Sequence, residues 1–221
     1  LINHNLIYEN DAINRYKINA NLAIKGSKGK ELQELKQTII NIKNCELKKN
    51  STNIVFSDGN PNSKIMIVGE GPGANEDLEG VPFIGKTGEL LDKMLLSINL
   101  DRENVYITNV VNYRPPENRS PTEHEIAKYL PYLIKHIEII DPKILILLGS
   151  SALSAVVGDK QKISEIRGRW IDKKIGKSNA SVIVSFHPAF LMRQPDQKAM
   201  SWIDLKMIRK KISDLKIKIE K

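Results

Sequence analysis

Four apolar stretches, each rich in branched side chains, are spaced along the chain. They cover residues 65–69, 105–111, 144–149 and 182–186. Because apolar side chains occupy consecutive positions in each stretch, the pattern predicts strands that are buried on both faces of a parallel sheet. Between and around them, apolar residues recur at helical spacing in the ranges 31–42, 88–98, 122–140, 150–157 and 198–219.

The alternation of these strands and helices predicts an α/β fold. We expect a three-layer α/β/α sandwich with a central four-stranded parallel sheet and right-handed crossover connections. Residues 30–221 form a single domain in this interpretation, and residues 1–29 form a polar N-terminal arm with a flexible, basic linker at its end. Ligands of such sheets bind beyond the carboxyl ends of the strands, so functional residues are expected there.

Composition narrows the class of protein. The 221 residues include 34 Lys and Arg against 26 Asp and Glu, which gives a net charge of +8. This charge favours a polyanionic partner. A generally lysine-rich composition explains the positive charge equally well. The single cysteine, Cys45, excludes an internal disulfide and a site built from several thiolates. No apolar run is long enough to cross a membrane. A free cysteine and an N-terminus without the pattern of an export signal favour a reducing cytoplasm, and we also expect a monomer.

The loop after the first predicted strand is rich in glycine. Residues 69–77 read Gly-Glu-Gly-Pro-Gly-Ala-Asn-Glu-Asp, a rigid turn whose backbone N–H groups can bind an anion or a carbonyl. No Gly-Lys-Ser/Thr follows, and the glycine spacing does not match the dinucleotide fingerprint, so neither kind of nucleotide loop is predicted. A simple turn is the alternative interpretation.

Three further side chains are expected near the same edge of the sheet. Phe83 lies in a loop, where its ring can stack on a flat ligand or cover the end of the sheet. Asn109 offers one acceptor and two donors, which can read the edge of a pyrimidine or cap local backbone. His187 directly follows the last strand, where it can donate to a developing oxyanion or serve the fold alone.

These segments occur in a particular order along the chain. The order is Gly-Glu-Gly-Pro-Gly at 69–73, Pro-Phe-Ile-Gly at 82–85, Asn-Val-Val at 109–111, Arg-Pro-Pro at 114–116, Leu-Gly at 148–149, Arg-Gly at 167–168 and His-Pro-Ala-Phe-Leu at 187–191. The ordered set resembles the uracil-DNA glycosylase superfamily, and within it the type-4 branch. Each motif alone is weak, whereas the order of all of them is specific.

The resemblance implies an enzyme of base excision repair. Such an enzyme flips uracil out of DNA and hydrolyses its N-glycosidic bond, which leaves an abasic site. By this likeness, Phe83 stacks on the uracil ring, Asn109 pairs with its polar edge, and Gly71 belongs to the uracil-binding loop. His187 stabilises the negative charge that develops on uracil O2.

The resemblance leaves the activation of water open. Some members of the superfamily carry an Asp at the position that Gly71 occupies here. Glu70 is therefore the nearest candidate for a catalytic carboxylate, and Glu76 and Asp77 are the alternatives.

Uracil-containing DNA is the partner that the resemblance implies. Residues 191–193 form an apolar and basic projection that is expected to fill the gap left by the flipped base, through Leu191, Met192 and Arg193. Contacts with phosphate groups are expected from Lys86, Arg114, Arg119 and Arg193.

The sequence departs from the type-4 pattern at one group of positions. Members of that branch typically hold a [4Fe–4S] cluster on four cysteines, and the motif frame assigns these positions to Ile42, Cys45, Tyr113 and Tyr129. One thiolate does not hold such a cluster, so we expect no metal and no cofactor. We expect the four side chains to pack together, because an empty volume of that size would be costly.

Two other functions are compatible with a pocket at the strand ends. One is a catalytically weak or inactive descendant that binds uracil-containing DNA, and the retained Glu70, Phe83, Asn109 and His187 argue against it. The other is a nucleoside or nucleotide hydrolase, which the net charge and the projection at residues 191–193 disfavour. His124 and His136 are expected on the surface of the helix at 122–140.

Overall fold

The computed structural model describes residues 27–158 and 162–219. Its strands are β1 (Asp58–Gly59), β2 (Ile65–Gly69), β3 (Tyr106–Asn109), β4 (Ile144–Leu148), β5 (Trp170–Ile175) and β6 (Ser178–Ser185). Its α-helices are α1 (Ser27–Ile40), α2 (Glu46–Lys49), α3 (Ala74–Glu79), α4 (Gly85–Leu96), α5 (Glu123–Ile140), α6 (Ser150–Val156), α7 (Ile163–Ile166), α8 (Pro188–Arg193) and α9 (Lys198–Asp214). Short 3₁₀ turns cover Arg102–Asn104, Pro116–Asn118 and Pro195–Gln197.

The strands form one sheet in the order β1-β3-β2-β4-β6-β5. The four central strands, β3, β2, β4 and β6, are parallel, which confirms the predicted central sheet. Two antiparallel edge strands, β1 and β5, extend it beyond the prediction. The apolar pattern does not reveal them, because β1 has only two residues and charged side chains interrupt β5.

Side chains of the central strands alternate between two hydrophobic cores. In β2, Met66 and Val68 face the core that contains residues of α1, α5 and α6. Ile65 and Ile67 face the opposite core, which contains residues of α4 and α9. Because helices cover both faces, β2 and β4 carry no polar side chain, and the three-layer α/β/α sandwich is confirmed.

The first described helix corrects part of the sequence interpretation. α1 begins at Ser27, so residues 27–30, assigned above to the linker and the start of the domain, are helical. Gly29 is buried, and the Nζ of Lys28 donates to the carbonyl of Ile140 at 2.8 Å, where a cation stabilises the C-terminus of α5. The arm at residues 1–26 lies outside the described residues. Among the described residues, no helix has the length and apolar character needed to cross a membrane.

The two histidines of α5 have different environments. His124 is exposed, in agreement with the prediction. The surface prediction is wrong for His136, which is buried with its Nε2 2.7 Å from the Tyr106 hydroxyl and its ring stacked on Phe56. Helical spacing places position 136 on the same face as Leu133 and Ile140, and this face packs on the sheet.

The four positions that the type-4 resemblance assigns to cysteines lie in one core. Ile42, Cys45, Tyr113 and Tyr129 are all buried in the core between the sheet and helices α1 and α5. The Sγ of Cys45 lies 3.2 Å from the Tyr129 hydroxyl. Burial raises the pKa of Tyr113, and the neighbouring Cys45 raises it further. Tyrosine rings and one thiol therefore fill the interior where the resemblance expects four thiolates.

Replacing Tyr129 with Phe tests the contribution of this buried hydroxyl. Tyr129→Phe removes the hydrogen bond to Cys45 while keeping the ring, and we expect it to lower the free energy of unfolding by about 1 kcal/mol. Urea denaturation measures this change. The matched control is Tyr132→Phe, on a partly exposed ring of the same helix, and equal losses from both variants would contradict the assignment.

Candidate active site

A cavity of about 470 Å³ opens at the carboxyl ends of the parallel strands. Its lining includes residues at or just after the ends of four strands: Glu70 after β2, Asn109 as the last residue of β3, Gly149 after β4 and His187 two residues after β6. The sheet order explains this position, because β2 has β3 on one side and β4 on the other. The loops that leave these strands diverge there and form the crevice that open α/β sheets use for ligands.

A close approach at Gly69 shapes the floor of the cavity. Gly69 is the last residue of β2 and pairs with Asn109 of β3. A Cβ on Gly69 would lie 2.4 Å from Cζ of Phe83 and 2.5 Å from Oδ1 of Asn109. Only glycine therefore allows the phenyl ring and the amide to meet over the end of this strand.

Asn109 presents its amide to the cavity. The side chain is 4% exposed and lines the cavity. It forms no hydrogen bond with any other described residue by the usual distance and angle criteria. A buried amide without a protein partner is costly unless a ligand or water satisfies it, so the site can recognise a ligand with complementary donors and acceptors.

His187 lies opposite Phe83 and is neutral near physiological pH. The two rings have their centroids 5.3 Å apart. Burial lowers the pKa of His187 to about 4, against a smaller opposing effect of the Glu70 carboxylate. The Nδ1 atom accepts a hydrogen bond from the backbone N–H of Ala189 at 3.2 Å, so the ring proton resides on Nε2. The site thus contains an uncharged donor suited to a developing oxyanion.

The carboxylate of Glu70 is held by a residue that sequence analysis missed. The Oγ of Ser151, in the first turn of α6, donates to Oε2 of Glu70 at 2.6 Å. Ser151 belongs to no motif, so only its position two residues after Gly149 connects it with the strand ends. This bond fixes one carboxylate oxygen, and Glu70 lines the cavity.

The two alternative carboxylates are engaged in the fold. Glu76 lines the cavity, but its Oε2 accepts from the N–H of Gly73 at 3.1 Å and its Oε1 from that of Ile84 at 3.0 Å. Burial raises its pKa. Asp77 lies outside the cavity lining, and its carboxylate accepts from the backbone N–H groups of Thr52 and Asn53. The prediction of Asp77 as a water-activating residue therefore disagrees with its position.

The predicted phosphate-contacting side chains fall into two groups. Arg119 and Arg193 line the cavity. Arg119 donates two hydrogen bonds of 2.7 Å to the carboxylate of Glu125. This pairing lowers the pKa of Glu125 to about 2. The positive charge of Arg119 is therefore compensated by Glu125. Lys86 and Arg114 are outside the lining, the former exposed and the latter bonded through Nε to Asn118.

The projection at residues 191–193 differs from its prediction in one residue. Leu191 is 1% exposed and packs in the second core, so it does not project from the surface. Met192 is 42% exposed and is the apolar side chain that projects here. The turn of α8 causes this difference, because consecutive helical residues point in different directions.

The side chains at the four cysteine positions do not fit a [4Fe–4S] cluster. The donors available are one thiol and two phenol groups, and the fourth position, Ile42, has no donor atom. Cubane clusters of this kind are held by cysteine thiolates. The thiol of Cys45 is already within hydrogen-bonding distance of Tyr129. Among the described residues, no group of three or more His, Cys, Asp or Glu side chains is placed to hold a metal ion.

Comparison with known proteins gives consistent matches. Residues 56–210 match the family model of the uracil DNA glycosylase superfamily. A type-4 uracil-DNA glycosylase of Thermotoga maritima is 47% identical over 150 residues, which cover 67% of this chain and 77% of the relative. The type-4 enzymes of Sulfurisphaera tokodaii and Archaeoglobus fulgidus are 40% and 38% identical, each over 80% of this chain and over 83% and 91% of the relatives.

The protonation state of His187 is directly measurable. Nitrogen-15 NMR of histidine-labelled protein should show a neutral ring protonated on Nε2 down to about pH 5, because burial lowers its pKa to about 4. The His187→Gln variant assigns the signal. A titration midpoint near the ordinary histidine value of about 6.5 would contradict the neutral assignment.

Proposed function

Since the chain belongs to the uracil-DNA glycosylase superfamily, we propose that it removes uracil from DNA by hydrolysing the N-glycosidic bond. The product is an abasic site, so the reaction is the first step of base excision repair. The observation that carries the proposal is the cavity in which Phe83, Asn109 and His187 meet at the end of the parallel sheet.

The cavity suits a flipped pyrimidine. In the proposed complex, the Phe83 ring stacks on the base, and the amide of Asn109 pairs with the edge that distinguishes uracil from cytosine. Support comes from the close approach of these two side chains at Gly69 and from the free hydrogen-bonding capacity of Asn109. Cytosine presents an amino group where uracil presents a carbonyl, so the orientation of the Asn109 amide decides which of the two bases it accepts.

The proposed reaction separates charge within the cavity. The bond between C1′ of deoxyribose and N1 of uracil breaks, its electron pair stays with uracil, and the sugar gains oxocarbenium character. The negative charge spreads to uracil O2, to which Nε2–H of His187 donates. Water adds its oxygen to C1′, and its released proton balances the charge of the departing base. A neutral donor is suited to this role, because it stabilises the anion without first transferring its proton.

Glu70 is the proposed residue that orients this water. Its carboxylate lines the cavity, and Ser151 holds only one of its two oxygens. Glu76 has both oxygens bonded to backbone N–H groups, which favours a role in shaping the loop. The negative charge of Glu70 also stabilises the positive character that develops on the sugar.

DNA is proposed to bind across the mouth of the cavity. Arg193 lines the cavity, and the exposed Met192 beside it is the candidate that fills the space of the flipped base. We propose that the protein acts as a monomer, which light scattering of the purified protein tests. The cytoplasm is the proposed location, since bacterial and archaeal relatives have their DNA there.

We further propose that this chain works without a [4Fe–4S] cluster. The donor set at Ile42, Cys45, Tyr113 and Tyr129 supports this, because it provides one thiolate where four are needed. The reaction itself transfers no electrons, so the proposed roles of His187 and Asn109 need no redox group.

Cleavage of uracil-containing oligonucleotides tests the function. Wild-type protein should produce abasic sites in U:G, U:A or single-stranded substrates. His187→Ala should lower kcat by about 10²–10³, because it removes a donor to the developing oxyanion. Asn109→Ala should lower kcat/KM for uracil and weaken the discrimination against cytosine.

The matched control for these variants is His124→Ala, at an exposed histidine of α5. It should cleave at the wild-type rate. DNA binding without cleavage by wild-type protein would instead favour a binding protein, and equal rates for the wild type, His187→Ala and Asn109→Ala would refute the assigned roles.

Iron analysis tests the proposed absence of a cluster. Protein purified without oxygen should contain no stoichiometric iron and show no visible iron–sulfur absorption. Its cleavage rate should be unchanged after treatment with a chelator. Four iron atoms per chain would contradict the proposal whether or not the protein cleaves uracil.

A further inference from the structure

The backbone of Phe83 has an unfavourable conformation. Its φ of 53° lies in the left-handed region, which bulky L-residues rarely adopt because Cβ crowds the backbone. The ring is nevertheless buried against His187 and over Gly69. A residue in such a conformation persists when its surroundings hold it there. The contacts of its carbonyl group show what holds it.

Arg102 binds this loop through its guanidinium group. The side chain is buried and comes from the 3₁₀ turn before β3. Its Nη1 donates to the carbonyl oxygen of Pro82 at 3.2 Å, and its Nη2 donates to the carbonyl oxygen of Phe83. The planar fork thereby fixes two consecutive peptide groups, including the one that follows the strained residue.

Two carboxylates fix the guanidinium in turn. Oδ2 of Asp58, in edge strand β1, lies 2.7 Å from Nη1, and Oδ1 of Asp92, in α4, lies 2.8 Å from Nε. They compensate the buried charge and hold the plane of the guanidinium. The fork is therefore tied to both the edge of the sheet and the helix that follows Phe83.

The first turn of α4 encloses the same carbonyl. A Cβ on Gly88 would lie 1.8 Å from the Phe83 oxygen, so this oxygen is placed where only glycine leaves room for it. Phe83 is 4% exposed, and a charge-assisted hydrogen bond in such a buried setting is stronger than one in water.

We propose that Arg102 is a positioning residue, which holds the strained Phe83 backbone so that the ring stacks on the target base. The inference rests on the stacking role proposed above for Phe83. Arg102 does not line the cavity and touches no reacting atom. Without its fork, the peptide after Phe83 can rotate toward the right-handed region and carry the ring away from Gly69 and His187.

Arg102→Lys is the variant that tests this role. It retains the positive charge between Asp58 and Asp92, but a single ammonium group cannot replace the planar fork that spans two carbonyls. We expect KM for uracil-containing DNA to rise about tenfold, within the range that loss of base stacking produces, with a smaller change in kcat.

A double-mutant cycle with Phe83→Ala separates positioning from general destabilisation. If Arg102 acts through the ring, Arg102→Lys should have little further effect on KM once the ring is absent. An unchanged tenfold effect in the Phe83→Ala background would overturn the proposal. Tyr129→Phe, in the opposite core, is the control for lost stability. Its effect on KM should be the same in the wild-type and the Phe83→Ala backgrounds.

NMR of the His187 ring gives a readout that does not depend on activity. The Phe83 ring shifts the His187 ring protons, because their centroids are 5.3 Å apart. Arg102→Lys should change these shifts in the same direction as Phe83→Ala, whereas Tyr129→Phe should leave them in place. Wild-type shifts in folded Arg102→Lys protein would overturn the proposal. A wild-type protein that cleaves no uracil would refute the proposed function, and the NMR result would still decide whether Arg102 holds Phe83.

Discussion

The absence of a side chain at Gly69 is the constraint around which the site is built. Phe83 lies in the loop before α4 and Asn109 at the end of β3, and both side chains occupy the space that a Cβ on Gly69 would need. The ring reaches this space from a backbone that is left-handed at position 83. The buried Arg102 and the narrow space beside Gly88 then become necessary, because they hold a backbone that would otherwise relax.

Buried carboxylates connect the loops of this site. Glu76 joins the glycine-rich loop after β2 to the loop that carries Phe83, because its two oxygens bind N–H groups of Gly73 and Ile84. On the opposite side, Asp204 of α9 binds Arg167 at 2.6 Å and Ser185 at 2.7 Å, two residues before His187. Both carboxylates are buried and fully engaged, so the loops are fixed before a ligand enters.

Sequence patterns predicted the parts of the molecule that depend on repeated spacing or on ordered motifs. β2 and β4 carry no polar side chain because helices cover both faces of the sheet, and Glu70, Asn109 and His187 could be placed because they lie at or just after strand ends. Ser151 and Arg102 belong to no repeated pattern, and their partners are far away in the chain, so only the folded structure reveals them. Leu191 was placed wrongly on the surface, because a single turn of helix gives too few residues to show which side faces inward.

The packing of Cys45 against Tyr129 has a consequence for how the molecule refolds. These residues are 84 positions apart, and weak interactions between side chains join them. A metal cluster at such a place must be reassembled after unfolding, from iron and sulfide as well as the chain. In the proposed cluster-free protein, the polypeptide alone contains every group of that core, so refolding from the fully unfolded chain depends on its sequence and not on the supply of inorganic components.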